Sequence, residues 1–210
     1  MAERMWNVRP RWLASTAAAA LVLGLLAACA AADADPDTEL LADSFVADLD
    51  GNVFVGVMVA EHPDGQTRDV VVYLCDEADV STWLYGQTTG GSIVLEGDGV
   101  SVALTLGATV VTGEVEFAGQ DPQSFSAVAA EGDAGLHRAE GETVEGLRYV
   151  GGWIILNTLE QRGALTLDGE IHEHPTLDPA TGEAETSFGT LSTEQCFRNP
   201  WTGEKICRRL

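Results

Sequence analysis

The chain is poor in basic residues. Its 210 residues contain 11 Lys and Arg against 33 Asp and Glu, which gives a formal net charge of −22, and Lys205 is its single lysine. Nucleic-acid binding needs a basic footprint on the protein surface, so the composition argues against it. Lying flat on anionic lipid is disfavoured for a related reason, because such lipid attracts polybasic segments.

The sequence also lacks the common catalytic signatures. It contains no G-x-S-x-G elbow, no phosphate-binding G-x-x-x-x-G-K loop, no G-x-G-x-x-G and no H-E-x-x-H. We therefore expect a protein that is not an enzyme and carries no cofactor. A cell-wall hydrolase remains an alternative, because the fold alone sets the geometry of a glycosidase carboxylate pair.

One long apolar run is present near the start of the chain. Residues 12–32 contain no charged side chain, and Arg4, Arg9 and Arg11 precede them. A basic segment, an apolar segment and small residues near its end are typical of a secretory signal. The run is also long enough to span a bilayer as a permanent helix. Both interpretations are open from composition alone.

Leu26-Ala27-Ala28-Cys29, within this run, resembles the lipobox of bacterial lipoprotein signals. The resemblance implies a signal peptide over 1–28, cleavage before Cys29, and acyl chains on Cys29 that hold the protein on the outer face of the cell membrane. Each buried methylene adds about 0.8 kcal/mol of membrane affinity. Without residues 1–28 the chain has 182 residues and a net charge of −24. Residues 29–43 are acidic and rich in small residues, so we expect a flexible tether there.

The remainder is predicted to be all-β. Short β-branched runs cover 53–60, 69–75, 92–95, 100–106, 108–117 and 123–129, and Gly, Pro and Asx turn signals separate them. This spacing predicts an antiparallel meander that forms a small barrel or sandwich. We divide this body into a β-meander segment, 44–138, and a segment of additional strands with a C-terminal hairpin, 139–210. The two segments could also form a single domain.

Part of this body resembles a β-meander module of secreted or lipidated actinobacterial proteins. The resemblance implies a fold and a location, but no activity. It departs at His137, where Tyr is usual, and at Glu77, where Gly is common. The matching residues are Tyr73, Cys75, Asp76, Trp83, Gly86, Thr112, Gly113, Phe125, Ala127, Gly135, Leu136 and Arg138.

A short repeat, [DN]-P-x-T-G-E, occurs at 178–183 and 199–204. Asx, Pro and Gly at these positions favour four-residue hairpin loops. If Asn199 pairs with Glu204, Cys196 lies opposite Cys207, close to disulfide reach. We therefore predict a Cys196–Cys207 disulfide, with two free thiols or a bond to Cys75 as alternatives. Cys75 itself is expected to be a buried, inert thiol.

One pattern suggests metal chemistry. Asp168, Glu170, His172 and His174 occupy every second residue, so they would share one face of a strand. His-x-His with carboxylates supplies zinc ligands in many proteins. A turn at Asp168-Gly169 would break the pattern, and a solvated polar face explains it equally well. A metal-binding lipoprotein that uses these residues is our second hypothesis.

The last candidate is a contact surface at the second repeat. Trp201 is predicted at a hairpin tip, and an exposed aromatic near basic side chains favours a partner interface. The alternative is that the basic hairpin packs against the acidic body of the protein. The leading hypothesis is a non-catalytic envelope lipoprotein that binds an extracellular or envelope partner or has a structural role. The basic residues are Arg198, Lys205, Arg208 and Arg209.

Overall fold

The computed structural model describes residues 39–50, 52–76 and 78–209, and their regular secondary structure is all β. The predicted all-β fold is confirmed. The strands are β1 Glu39–Leu49, β2 Val53–Glu61, β3 Arg68–Cys75, β4 Ser81–Thr88, β5 Ser92–Gly97, β6 Val100–Leu106, β7 Val110–Phe117, β8 Gln123–Ala129, β9 Gly135–Glu142, β10 Arg148–Ile155, β11 Gln161–Leu167, β12 Glu170–Glu173, β13 Leu177–Asp178, β14 Glu183–Thr186, β15 Gly189–Ser192, β16 Cys196–Arg198 and β17 Lys205–Arg208. No helix that would cross a membrane occurs in these ranges. The predicted signal and Cys29 lie outside them.

The first sheet is nearly closed into a barrel. Eight of its ten strands follow the order β4-β3-β2-β1-β8-β7-β6-β5, in which all neighbours are antiparallel. The other two, β16 and β17, form a hairpin that joins this sheet through parallel pairing of β17 with β1. At the open seam, the side chains of β5 pack closely on β4. A Cβ added at Gly86 would overlap the Leu95 side chain, so glycine is required at this point for β4 and β5 to approach.

Two strands of this sheet are buried on both faces. Val55, Val57, Val70 and Val72 point into the barrel core. The alternate residues of the same strands, including Met58 and others of the second cluster, pack outside the barrel. Strands covered on both faces are expected to read as continuous apolar runs. This explains why β2 and β3 show little polar alternation.

A second sheet, β12-β11-β10-β9, covers that outer face, and a third, β13-β14-β15, packs on the second. Trp153 in β10 is fully buried between the second and third sheets. Its indole N–H donates to the carbonyl of Pro175 at 2.7 Å. A Cβ at either Gly151 or Gly163 would overlap the Trp153 ring, so both glycines make room for it.

One predicted boundary is wrong, and one strand was missed. The tether was predicted to extend to residue 43, but β1 begins at Glu39. Leu40 and Ala42 are buried there because their side chains belong to the second core cluster, together with Ile206 of β17. The backbone of this segment pairs with β17 on one side and, from Ala42, with β2 on the other. The strand β4 was not predicted. Residues 44–138 and 139–210 belong to one compact unit.

Candidate functional site

The strand order brings several connections to one end of the barrel, which we call the β1 end because β1 begins there. β17 runs parallel to β1, with Lys205 opposite Glu39. The turn at 199–204 therefore lies at this end. The antiparallel registers bring the loops at 62–67, 89–91 and 107–109 to it as well.

The C-terminal hairpin has the register that the repeat predicted. Cys196 lies opposite Cys207, Phe197 opposite Ile206 and Arg198 opposite Lys205. The Cys196–Cys207 disulfide is formed, so that prediction is confirmed. In both repeats the side-chain oxygen of the first residue accepts a backbone N–H two residues later at 2.9 Å. The glycines at 182 and 203 have φ of 69° and 76°, which fits the predicted role of glycine in these turns.

A buried aspartate connects this hairpin to the barrel. Asp69 is the second residue of β3 and is 1 % exposed. Its Oδ1 accepts hydrogen bonds from Gln87 Nε2 at 2.7 Å and from Asn199 Nδ2 at 3.1 Å. Its Oδ2 lies 3.0 Å from His62 Nε2. Asp69 thus links β3, β4, the loop at 62–67 and the hairpin turn.

A second buried carboxylate lies beside it. Glu204 is 5 % exposed, and its Oε2 is buried with no hydrogen-bond partner. One ligand atom from each of His62, Asp69 and Glu204 lies within 4.8 Å of the other two. We call these three residues the buried acidic cluster. No sequence pattern indicated it, because Glu204 lies far along the chain from His62 and Asp69.

The loop that carries His62 is held by a local turn. Asp64 Oδ1 accepts the backbone N–H groups of Gln66 and Thr67, both at 2.8 Å. These hydrogen bonds lower the pKa of Asp64 to about 2. The backbone N–H of His62 donates to the carbonyl of Thr67 at 2.9 Å. The imidazole is therefore positioned by an ordered turn.

An aromatic row leads from the core to the hairpin tip. Tyr73 stacks on Trp83 with ring centroids 4.2 Å apart. Tyr85 follows at 6.5 Å from Trp83, and Trp201 contacts Tyr85 edge-on at 6.4 Å. The Arg138 guanidinium lies 4.5 Å from the Trp83 ring centroid. Trp201 is 65 % exposed, as expected for a hairpin tip.

The residues of the predicted metal pattern are not brought together. Asp168 and Gly169 have φ of 48° and 91° and form a turn, so the strand face begins only at Glu170. His172 Nε2 contacts Ser187 Oγ at 3.2 Å, whereas His174 Nδ1 contacts the Gly163 carbonyl at 3.1 Å. Within residues 39–50, 52–76 and 78–209, one group of three His, Cys, Asp or Glu side chains is close enough together to hold a metal ion, and it is the buried acidic cluster.

The basic residues near Trp201 bind mainly to the protein itself. Arg208 donates to the carbonyls of Ala130 and Gly132 at 2.7 and 3.0 Å, and also to that of Ala134. Lys205 pairs with Glu194 at 3.0 Å and Arg209 with Asp43 at 3.5 Å. These contacts support the packing alternative over a basic partner surface.

Cys75, which matches the resembling module, and His137, which departs from it, are both buried. The thiol of Cys75 donates to the Asp76 carbonyl at 3.2 Å in a fully buried position. His137 is 4 % exposed, and burial lowers its pKa. Its Nε2 lies 3.2 Å from the Asp133 carbonyl. Both side chains fill the packed interior and offer no reactive surface group.

Searches of protein-family models, of curated proteins and of solved structures find no match to this chain. The resemblances to bacterial lipoproteins and to the actinobacterial β-meander module therefore stay predictions from the residues.

Proposed function

We propose that the chain is an exported lipoprotein, held on the outer face of the bacterial cell membrane by acyl chains on Cys29, whose acidic β domain has a non-catalytic binding or structural role. The observation that carries the proposal is the disulfide between Cys196 and Cys207. Such bonds persist in oxidising compartments outside the cytoplasm. Together with the lipobox resemblance at Leu26–Cys29, it favours an exported, anchored protein.

The tether length supports a domain close to the bilayer. Ten residues, 29–38, precede β1. A chain of that length spans at most about 36 Å. Anchoring at Cys29 therefore keeps the β1 end near the membrane, and the tip residue Trp201 lies at that end. An exposed Trp is suited to the headgroup region, where one side of the ring is apolar and the other is wet.

Two features of the domain favour a non-catalytic role. The paired carboxylates Asp69 and Glu204 are buried, so a polysaccharide chain cannot reach them as it reaches a glycosidase pair. A groove of about 650 Å³ crosses β5–β8, and Glu114 is the one ionisable side chain in its lining. A single carboxylate does not provide separate acid and base groups.

The anchor is tested by intact mass. Protein extracted from its native membrane is expected to lack residues 1–28 and to carry added acyl mass on Cys29. The Cys29→Ala variant is expected to lose that mass, because the thioether cannot form, and to partition away from the membrane. A full-length, unacylated wild-type chain in the membrane would make residues 12–32 a permanent helix and overturn the proposal.

The orientation is tested by fluorescence quenching in vesicles that carry the lipidated protein and brominated acyl chains. We expect the brominated lipid to quench the fluorescence of Trp201, because the hairpin tip lies at the tethered end. The contribution of Trp201 is identified as the emission that wild type has and Trp201→Phe lacks. Vesicles with unbrominated lipid provide the matched control. Equal quenching of wild type and Trp201→Phe would show that the tip is away from the bilayer. That result would refute the proposed orientation but would leave the proposal of a lipid anchor unaffected.

A further inference from the structure

We propose that His62, Asp69 and Glu204 bind one divalent transition-metal ion, with zinc the best fit, and that the ion fastens the C-terminal hairpin to the barrel. The three side chains come from the loop at 62–67, from the start of β3 and from the residue before β17. This site is different from the one that the His172/His174 pattern suggested, and it does not depend on the lipid anchor.

The spacing suits a small ion. His62 Nε2 and Asp69 Oδ2 lie 3.0 Å apart, and the three candidate ligand atoms are all within 4.8 Å of one another. Tetrahedral zinc with bonds of about 2.0–2.1 Å places its ligand atoms about 3.3 Å apart. The separations of at most 4.8 Å close to about 3.3 Å with shifts of no more than about 1.5 Å, which completes three sides of such a site.

The burial and hydrogen bonding of Glu204 favour a cation as its partner. Its Oε2 is buried and has no hydrogen-bond partner. A buried carboxylate oxygen without a partner carries a large desolvation cost. With Asp69 also buried, the cluster holds two carboxylates and a single imidazole. A divalent ion neutralises both carboxylates and supplies the absent contact for Glu204.

The surroundings of Asp69 are those of an oriented ligand. Gln87 and Asn199 both donate to Oδ1, which leaves Oδ2 facing His62. Hydrogen bonds of this kind fix the orientation of metal-ligating carboxylates. The side-chain Oδ1 of Asn199 accepts the backbone N–H groups of Trp201 and Thr202, so these hydrogen bonds occupy it and we do not count it as a fourth ligand. Three protein ligands leave one position for water.

The test is calorimetric titration of the purified protein, with its disulfide intact, with zinc at neutral pH after removal of metal with a chelator. We expect one zinc per chain. Glu204→Gln, which keeps the side-chain shape, is expected to weaken binding more than 100-fold, and His62→Gln similarly. Gln87→Ala, which only loosens Asp69, is expected to weaken it about 10–100-fold.

The His172→Ala/His174→Ala double variant is the matched control, and its affinity for zinc is expected to equal that of wild type. Cobalt added to wild type is expected to give visible absorption that Glu204→Gln lacks. Near-ultraviolet circular dichroism establishes that each variant is folded. No zinc binding by wild type, or equal binding by folded Glu204→Gln, would overturn the proposal. Loss of binding in the double variant alone would assign the metal to the other pattern.

Discussion

Replacing Trp153 with alanine is expected to lower the free energy of unfolding by about 3–5 kcal/mol. The side chain is fully buried and belongs to the cluster that joins the second sheet to the third. Its removal leaves a cavity that Gly151 and Gly163 cannot fill, because neither has a side chain. It also leaves the Pro175 carbonyl without the indole N–H that it accepts.

The measurement is equilibrium unfolding in urea, followed by far-ultraviolet circular dichroism and by fluorescence of the remaining tryptophans. Val144→Ala is the control. Val144 is 98 % exposed, and surface changes of this kind usually shift stability by less than about 0.5 kcal/mol. A loss below about 1 kcal/mol in Trp153→Ala would contradict the packing role that the structure gives to this side chain.

A conservative variant separates packing from the hydrogen bond. Trp153→Phe keeps an aromatic ring but cannot donate to Pro175. We expect a loss between those of the control and of Trp153→Ala, because part of the cavity stays filled. If Trp153→Phe were as unstable as Trp153→Ala, the hydrogen bond would dominate the contribution of this residue.

The parts of the fold that follow from local chemistry could be predicted from the sequence. In β7, Val111 and Val115 alternate with exposed Thr112 and Glu114, so the face that points into the barrel was evident. The hairpin at 199–204 followed from its turn residues, and its register brought the two cysteines together. In each case the information lies within about a dozen consecutive residues.

Other parts depend on contacts between distant segments. The start of β1 has an acidic, small-residue composition that is typical of a linker, yet parallel pairing with β17 makes it a strand. The strand β4 has mixed polar and aromatic residues because Trp83 packs on Tyr73 and beneath Arg138. Neither contact has a local sequence signal.

The candidate site shows the same limit. His172 and His174 are two residues apart, which is a spacing typical of metal ligands. In the structure a turn at Asp168 interrupts the pattern, and the two imidazoles have different hydrogen-bond partners. His62, Asp69 and Glu204 had no such spacing. Asp69 directly before the apolar run 70–75 was the one local signal, since a carboxylate that is buried with such a run requires partners.

Removing the disulfide with Cys196→Ser/Cys207→Ser is expected to cost about 3 kcal/mol of stability. The bond closes a loop with a sequence separation of 11. The chain-entropy treatment of a loop of about a dozen residues gives roughly this value at 25 °C. The measured loss also includes any loosening of β17, which pairs with β1 and carries the Arg208 contacts to residues 130–134.

Reduction provides an internal control for this variant. Wild type is expected to lose the same stability in the presence of a thiol reductant, whereas the double-serine variant is expected to be insensitive to it. Cys75→Ala retains the Cys196–Cys207 bond, so it is expected to remain sensitive to reductant. Equal urea midpoints for oxidised and reduced wild type would show that the bond makes no net contribution to stability.

The disulfide prediction also connects stability to location. If the domain gains about 3 kcal/mol from a bond that forms only after export, its ratio of folded to unfolded molecules is lower by about two orders of magnitude in a reducing compartment. Residues 29–210 produced in a reducing cytoplasm are therefore expected to be less stable than the same residues exported to an oxidising one, with the difference abolished in the double-serine variant. If the difference persisted in that variant, it would come from something other than the disulfide. The stability of the domain would then give no reason to connect this bond with export.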